Sequence, residues 1–193
     1  MDKPAVTISR MFPDRSLTAT QQGSIVVGAS LFIALCAHVT LPLPFTPVPL
    51  TLQNFGVLLV ALLLGSRAGF AALMLYLAEG TAGLPVFNPT GFGGVAQLLG
   101  PTGGYLIAYP AMAYVAGWIF ERGQRSMPRG IVAGIAGTVV LFTGGISWLM
   151  VIAHVRFAQA ATFGLYPFVF AEVIKIAAAA AIANRISRYR ARS

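Results

Sequence analysis

Glu172 and Lys175 stand three residues apart inside an apolar run that extends over residues 163–186. On a helix this i, i+3 spacing makes them neighbours on one face, with the acid N-terminal to the base, which is the favourable order. An ionisable side chain at the centre of a membrane span costs roughly 2.5–3.5 kcal/mol on insertion scales, so each of the two needs compensation. Two readings satisfy that need. Either the pair neutralises itself and points into a helix bundle, or it forms the polar end of a site where a ligand with both donors and acceptors completes its hydrogen bonding. Intramembrane ionisable residues mark functional sites by default, and this favours the second reading.

Other chemistry-bearing residues are sparse. Asn88, between Phe87 and Pro89, reads as a turn former or helix cap. It also reads as an amide whose two donors and one acceptor suit a cyclic urea or amide ligand. Glu79 closes an apolar run and is either interfacial polarity or a second functional acid. The segment Gly100-Pro-Thr-Gly-Gly-Tyr105 lacks the Lys and Ser/Thr that end a phosphate-binding loop, so nucleotide binding is excluded. Its glycines instead let backbone pack closely or approach a ligand. His38 and His154 are far apart without metal-ligand spacing, and only five acids exist in the chain, so no metal or other cofactor is expected. A membrane hydrolase using Glu79, Glu172 or the histidines is therefore short of material. A purely structural membrane subunit leaves Glu172 and Lys175 unexplained.

The elements that must position these residues follow from composition. Of 193 residues, 57% are hydrophobic and 9% charged, against about 25% charged in soluble domains. The apolar runs are long and continuous rather than alternating, which selects an all-α integral membrane protein over a β-barrel. At about 20 residues per crossing, the length accommodates one domain, residues 1–193, of six transmembrane helices. The spans are read at residues 24–41, 50–64, 68–77, 105–120, 131–152 and 163–186, the second and third being short for an unaided crossing. No cleavable signal is evident in the polar residues 1–23. Between the first two spans, Pro42, Pro44, Pro47 and Pro49 forbid a regular helix. Residues 79–104 form a loop too broken to span and long enough to be functional. Residues 153–162 read as a turn.

Small-residue spacings, Ser30-x-x-x-Ala34, Gly130-x-x-x-Gly134 and Ala133-x-x-x-Gly137, permit close helix approach. The single Cys36 lies in an apolar run and cannot form a disulfide within the chain. The net charge of +8 does not form a patch with interleaved aromatics, so no nucleic-acid partner is expected. Instead, of the thirteen basic residues, only Arg156 falls in an alternate loop and Lys175 in a span; the others share one side. By the positive-inside rule, that side is cytoplasmic and carries both termini, including the basic tail 187–193. The proline segment, the 79–104 loop and the 153–162 turn then face outward.

Read together, Pro47-Val-Pro-Leu-Thr-Leu-Gln-Asn54, Ala82-Gly-Leu-Pro-Val-Phe87, Leu99-Gly-Pro-Thr-Gly-Gly-Tyr105 and Glu172-x-x-Lys175 resemble the BioY family in order and spacing, over nearly the whole chain from Ser24 onward. That family supplies the biotin-binding S components of energy-coupling factor (ECF) vitamin importers. The resemblance implies an S-component-like bundle in the plasma membrane, with biotin held near the outer face under the loop joining the first two helices. It implies Glu172, Lys175 and Asn88 as substrate-binding residues, with Thr51, Gln53 and Tyr105 as secondary candidates. It also implies partners: an ECF transmembrane coupling protein and cytoplasmic ATPases, within the lipid bilayer. Family members tend to have Asp at the position of Glu172 and an Ala-x-x-x-Ala docking signature on the first helix. Here the nearest match to that signature is Ser30-x-x-x-Ala34.

Overall fold

The computed structural model describes residues 18–190; most of the polar N-terminal stretch 1–23 and the end of the basic tail lie outside them. Among the described residues, six long helices carry the fold: α1 (Ala19–His38), α2 (Gln53–Leu64), α3 (Ser66–Thr81), α5 (Gly103–Glu121), α6 (Met127–Ile152) and α8 (Val169–Arg190). Two short helices, α4 (Gly94–Leu99) and α7 (Phe157–Gly164), lie in connections, and a 3-10 turn (Tyr166–Phe168) leads into α8. Three helical stretches, Ala19–His38, Met127–Ile152 and Phe157–Tyr189, are long and apolar enough to cross a membrane. The chain is an all-α membrane protein.

Several boundaries differ from the sequence reading, each for a local reason. Helix α1 starts at Ala19, because Thr18 and Gln21 form a capping box, Gln21 N–H donating to Thr18 Oγ1 and Thr18 N–H to Gln21 Oε1. Helix α3 continues to Thr81 and takes Glu79 into the helix, where Ser30 Oγ donates to its carboxylate. The last helix begins at Val169 rather than at residue 163, since Gly164 and Pro167 end α7 and force the 3-10 turn. The 79–104 connection is less irregular than expected, holding α4.

The proline segment is closed at its base by a two-residue antiparallel ladder, β1 (Thr40–Leu41) with β2 (Leu50–Thr51), pairing Thr40 with Thr51 and Leu41 with Leu50. Its tip is pinned elsewhere: Thr46 Oγ1 donates to the Phe163 carbonyl at 2.6 Å, at the end of α7. The hairpin, the 82–102 connection and α7 therefore sit at one end of the bundle. Gly65, the 122–126 connection and the end of α8 sit at the other.

Helix α5 is central, packing against α2, α3 and α6, while α8 packs against α6 and α2. Close approach depends on glycine. A Cβ on Gly130 would lie 2.9 Å from that of Ala180, and one on Gly134 would lie 2.7 Å from Ile176 Cγ2, so α6 and α8 meet backbone to side chain. On α5, Gly117 lies against the backbone of Gly65 and Ser66, where the chain reverses with Gly65 at φ +84°. Glu121, one turn on, accepts from Ser66 N–H at 3.2 Å and Ser66 Oγ at 2.5 Å, covering the first turn of α3. Ser30 and Ala34 are buried inside the bundle. Ser30-x-x-x-Ala34 is thus internal packing and is not a docking face.

Gly117→Ala is expected to lower stability by about 1–3 kcal/mol, because its methyl would meet backbone that cannot move aside. Gly28→Ala, in open space on α1, is expected to be neutral or to stabilise by roughly 0.5–1 kcal/mol. Thermal unfolding in detergent separates the two, and equal effects would contradict the close packing at Gly65.

Candidate ligand-binding site

Beneath the hairpin lies a narrow cavity of about 40 Å³. Val48 and Pro49 of the hairpin cover it; Thr51 lines it from the end of β2 and Gln53 and Asn54 from the start of α2; Asn88 lines it from the 82–102 connection. Thr102 sits at the N-cap of helix α5, which contributes Tyr105, Leu106 and Tyr109, and Phe142, Phe168 and Lys175 complete the wall. The fold thus brings Asn88, Lys175, Thr51, Gln53 and Tyr105 to one place from four separate parts of the chain. Glu172 stands behind Lys175 rather than on the cavity wall.

The charged pair forms as its spacing requires: Lys175 Nζ lies 2.7 Å from Glu172 Oε1, and the two residues are only 8% and 3% exposed. Glu172 Oε1 also accepts from Asn54 Nδ2 at 2.9 Å, and Asn54 Oδ1 accepts from Tyr109 Oη at 2.6 Å. Four side chains on α2, α5 and α8 are thereby linked. Glu172 Oε2 is buried with no hydrogen-bond partner among the described residues, and so is Thr138 Oγ1 on α6. The packing of Gly130 on Ala180 and Gly134 on Ile176 places Thr138 opposite Glu172 one turn nearer the hairpin. Both line an apolar groove of about 460 Å³ between α6 and α8.

The remaining polar groups have defined duties. Asn88 Oδ1 accepts from Thr90 N–H at 3.2 Å and Thr90 Oγ1 at 2.6 Å. A backbone N–H only donates, so the oxygen must face Thr90, and the amide NH2 is left to serve a ligand. Gln97 Nε2 supports the same connection through the Asn88 carbonyl at 3.4 Å. Gln53 Nε2 donates to Tyr76 Oη at 2.8 Å, which donates to the Val86 carbonyl at 3.0 Å, tying α2 and α3 to the 82–102 connection. Thr51 Oγ1 accepts from Gln53 N–H at 3.3 Å. Tyr105 donates its hydroxyl to the Gly164 carbonyl at 2.7 Å, so its ring, edge-on to Phe142 at 6.3 Å, is what the cavity meets. Among the six candidates, then, Thr51, Gln53 and Tyr105 build the walls, whereas Asn88 and Lys175 keep donors at the cavity.

Glu79 is bound to Ser30 and lies away from this cavity, and His38 is spent on the Ala34 carbonyl at 2.8 Å. No cluster of three His, Cys, Asp or Glu occurs among the described residues. Sequence reading did not single out Asn54, Tyr109 or Thr138. Asn54, a polar residue entering an apolar run, carried a signal of its own. Tyr109 and Thr138 carried none, since nothing in the sequence says which face of α5 or α6 meets α2 or α8.

A helical membrane bundle that encloses a polar site beneath a stiff hairpin, with donors from its last helix and from the 82–102 connection, is a membrane ligand-binding protein. The chain belongs to the BioY family, whose sequence model matches residues 10–192. A relative in Pyrococcus horikoshii, described as a probable biotin transporter BioY, is 38% identical over 81% of this chain and 92% of its own length. The biotin transporter BioY of Thermotoga maritima is 37% identical over 84% of this chain and 95% of its own. A crystal structure described as the S-component for biotin from an ECF-type ABC transporter superposes with a TM-score of 0.79, at 26% identity, over 90% of this chain and 95% of that one.

Breaking the buried pair on one side leaves an uncompensated charge, so Glu172→Gln and Lys175→Met are each expected to destabilise by about 3–5 kcal/mol. The double substitution should recover part of that loss. Unfolding in detergent measures both, and strictly additive losses would mean that the two residues do not act as a pair.

Proposed function

We propose that this chain is the biotin-binding S component of an ECF-type importer, capturing biotin beneath the hairpin and presenting it to a partner energising module. The observation that carries the reading is the polarity of the site. Lys175 and the Asn88 NH2 offer donors at the cavity, and Glu172 Oε2 offers a buried acceptor behind them. A cyclic urea supplies the complement, a carbonyl oxygen that accepts and two N–H groups that donate. Glu172 takes a ureido N–H, and Lys175 gives to a ligand oxygen. For Oε2 to be reached from the cavity, the side chains around Lys175 must shift, which matches a ligand larger than the about 40 Å³ enclosed here.

The hairpin acts as a lid. Its prolines lower the entropy lost on closing, and Thr46 latches its tip to the end of α7. The lid end faces outward and the termini lie in the cytoplasm, a reading that the one-sided distribution of arginines supports. The chain has no nucleotide-binding motif, so concentrative transport draws its energy from a transmembrane coupling protein and two cytoplasmic ATPases. The binding subunit delivers biotin and hydrolyses nothing.

Biotin is expected to raise the unfolding temperature of the purified protein in detergent, and Lys175→Met and Asn88→Ala should weaken binding by roughly 2–5 kcal/mol and 1–3 kcal/mol respectively. Thr46→Val should act mainly by faster release. A wild-type protein that neither binds radiolabelled biotin nor shifts with it ends this reading. For orientation, a cysteine introduced at position 126 should resist an impermeant thiol reagent in intact cells, and labelling from outside would invert the topology.

A further inference from the structure

The Glu172 carboxylate is held asymmetrically. Oε1 receives two donors, Lys175 Nζ at 2.7 Å from its own helix and Asn54 Nδ2 at 2.9 Å from α2, while Oε2 receives none among the described residues. A carboxylate held at one oxygen by a single donor can rotate its plane about its last bond. Two donors from different helices converging on one oxygen position fix that plane, and so decide where the other oxygen is presented to a ligand.

Asn54 performs this task only with its NH2 toward Glu172, because an ionised carboxylate accepts and cannot donate. The opposite end, Oδ1, must then find a donor in the interior. Tyr109, 3% exposed on α5, supplies it at 2.6 Å. The hydroxyl and amide form a one-way chain, Tyr109 to Asn54 to Glu172, in which each bond polarises the next. Without the hydroxyl, Oδ1 is left without a donor in the wall, and the amide gains by turning toward other partners, releasing Oε1.

The geometry points to Asn54 and Tyr109 as positioning residues that act on biotin through Glu172, Tyr109 working only by way of Asn54. This rests on the biotin-binding reading above and adds to it the means by which the open acceptor position of Glu172 is oriented.

A double-mutant cycle with an infrared readout tests the chain. Biotin affinity is measured for wild type, Tyr109→Phe, Asn54→Leu and the double variant, after thermal unfolding has shown each to be folded. The carboxylate stretch of Glu172 is assigned by its loss in Glu172→Gln. Each single substitution should weaken biotin about tenfold, the scale of one buried hydrogen bond lost. The double variant should be no weaker than Asn54→Leu, since coupled residues are non-additive. The Glu172 band should move in Tyr109→Phe and not move further when Tyr109→Phe is added to Asn54→Leu. An effect of Tyr109→Phe on affinity that is equal in both backgrounds makes Tyr109 a direct ligand contact and overturns the proposal, as does wild-type affinity in Tyr109→Phe. Should wild type itself not bind biotin, the proposed function fails separately, and the infrared arm alone decides the positioning chain: an unmoved band in Tyr109→Phe refutes it. If Tyr109→Phe does not fold, protein grown on 3-fluorotyrosine replaces it, with the band expected to shift in wild type and to stay in place in Asn54→Leu.

Discussion

Taking a carboxylate and an ammonium out of water costs several kcal/mol per ion, and attraction between them offsets this only where geometry is good and the leftover lone pairs find donors. The Glu172–Lys175 pair meets the first condition by its own spacing on α8, at 2.7 Å. The second condition cannot be met by α8 alone. Asn54 must come from α2, and its oxygen must in turn be met from α5, so α2, α5 and α8 are committed to one arrangement at that level of the bundle.

Close backbone approach makes the arrangement reachable. Gly130 and Gly134 bring α6 against α8, and Gly117 brings α5 against the reversal at Gly65. In a membrane, helices gain little from hydrophobic burial against one another, so association leans on such packing and on interhelical hydrogen bonds. The same end of the bundle that holds the pair is covered by the hairpin, latched through Thr46, and by the connection bearing Asn88. Rigid helices thus supply the deep polar groups, and the hairpin and the 82–102 connection supply the cover.

Glu172, behind Lys175, borders the apolar groove between α6 and α8, where Thr138 Oγ1 is also unpartnered among the described residues. The acid therefore stands between Lys175, which lines the cavity, and the α6–α8 interface.

Much of this was legible in the chain itself. Membrane residence, the all-α class and six long helices follow from uninterrupted apolar runs, because hydrocarbon forbids unsatisfied backbone and leaves helices as the solution for such runs. The pairing of Glu172 with Lys175 follows from i, i+3 geometry, and the four ordered motifs were enough to point to the family. Boundaries were less legible: capping at Thr18 and the extension of α3 through Glu79 involve side-chain hydrogen bonds, and the break at Gly164 and Pro167 is a backbone constraint, neither of which hydropathy registers. Only the tertiary structure decided that Tyr105 spends its hydroxyl on Gly164, that Ser30 and Ala34 face inward, and that Asn54 and Tyr109 complete the charged pair. Those facts depend on which faces of distant helices meet, and a one-dimensional pattern that repeats every turn marks a face without naming its partner.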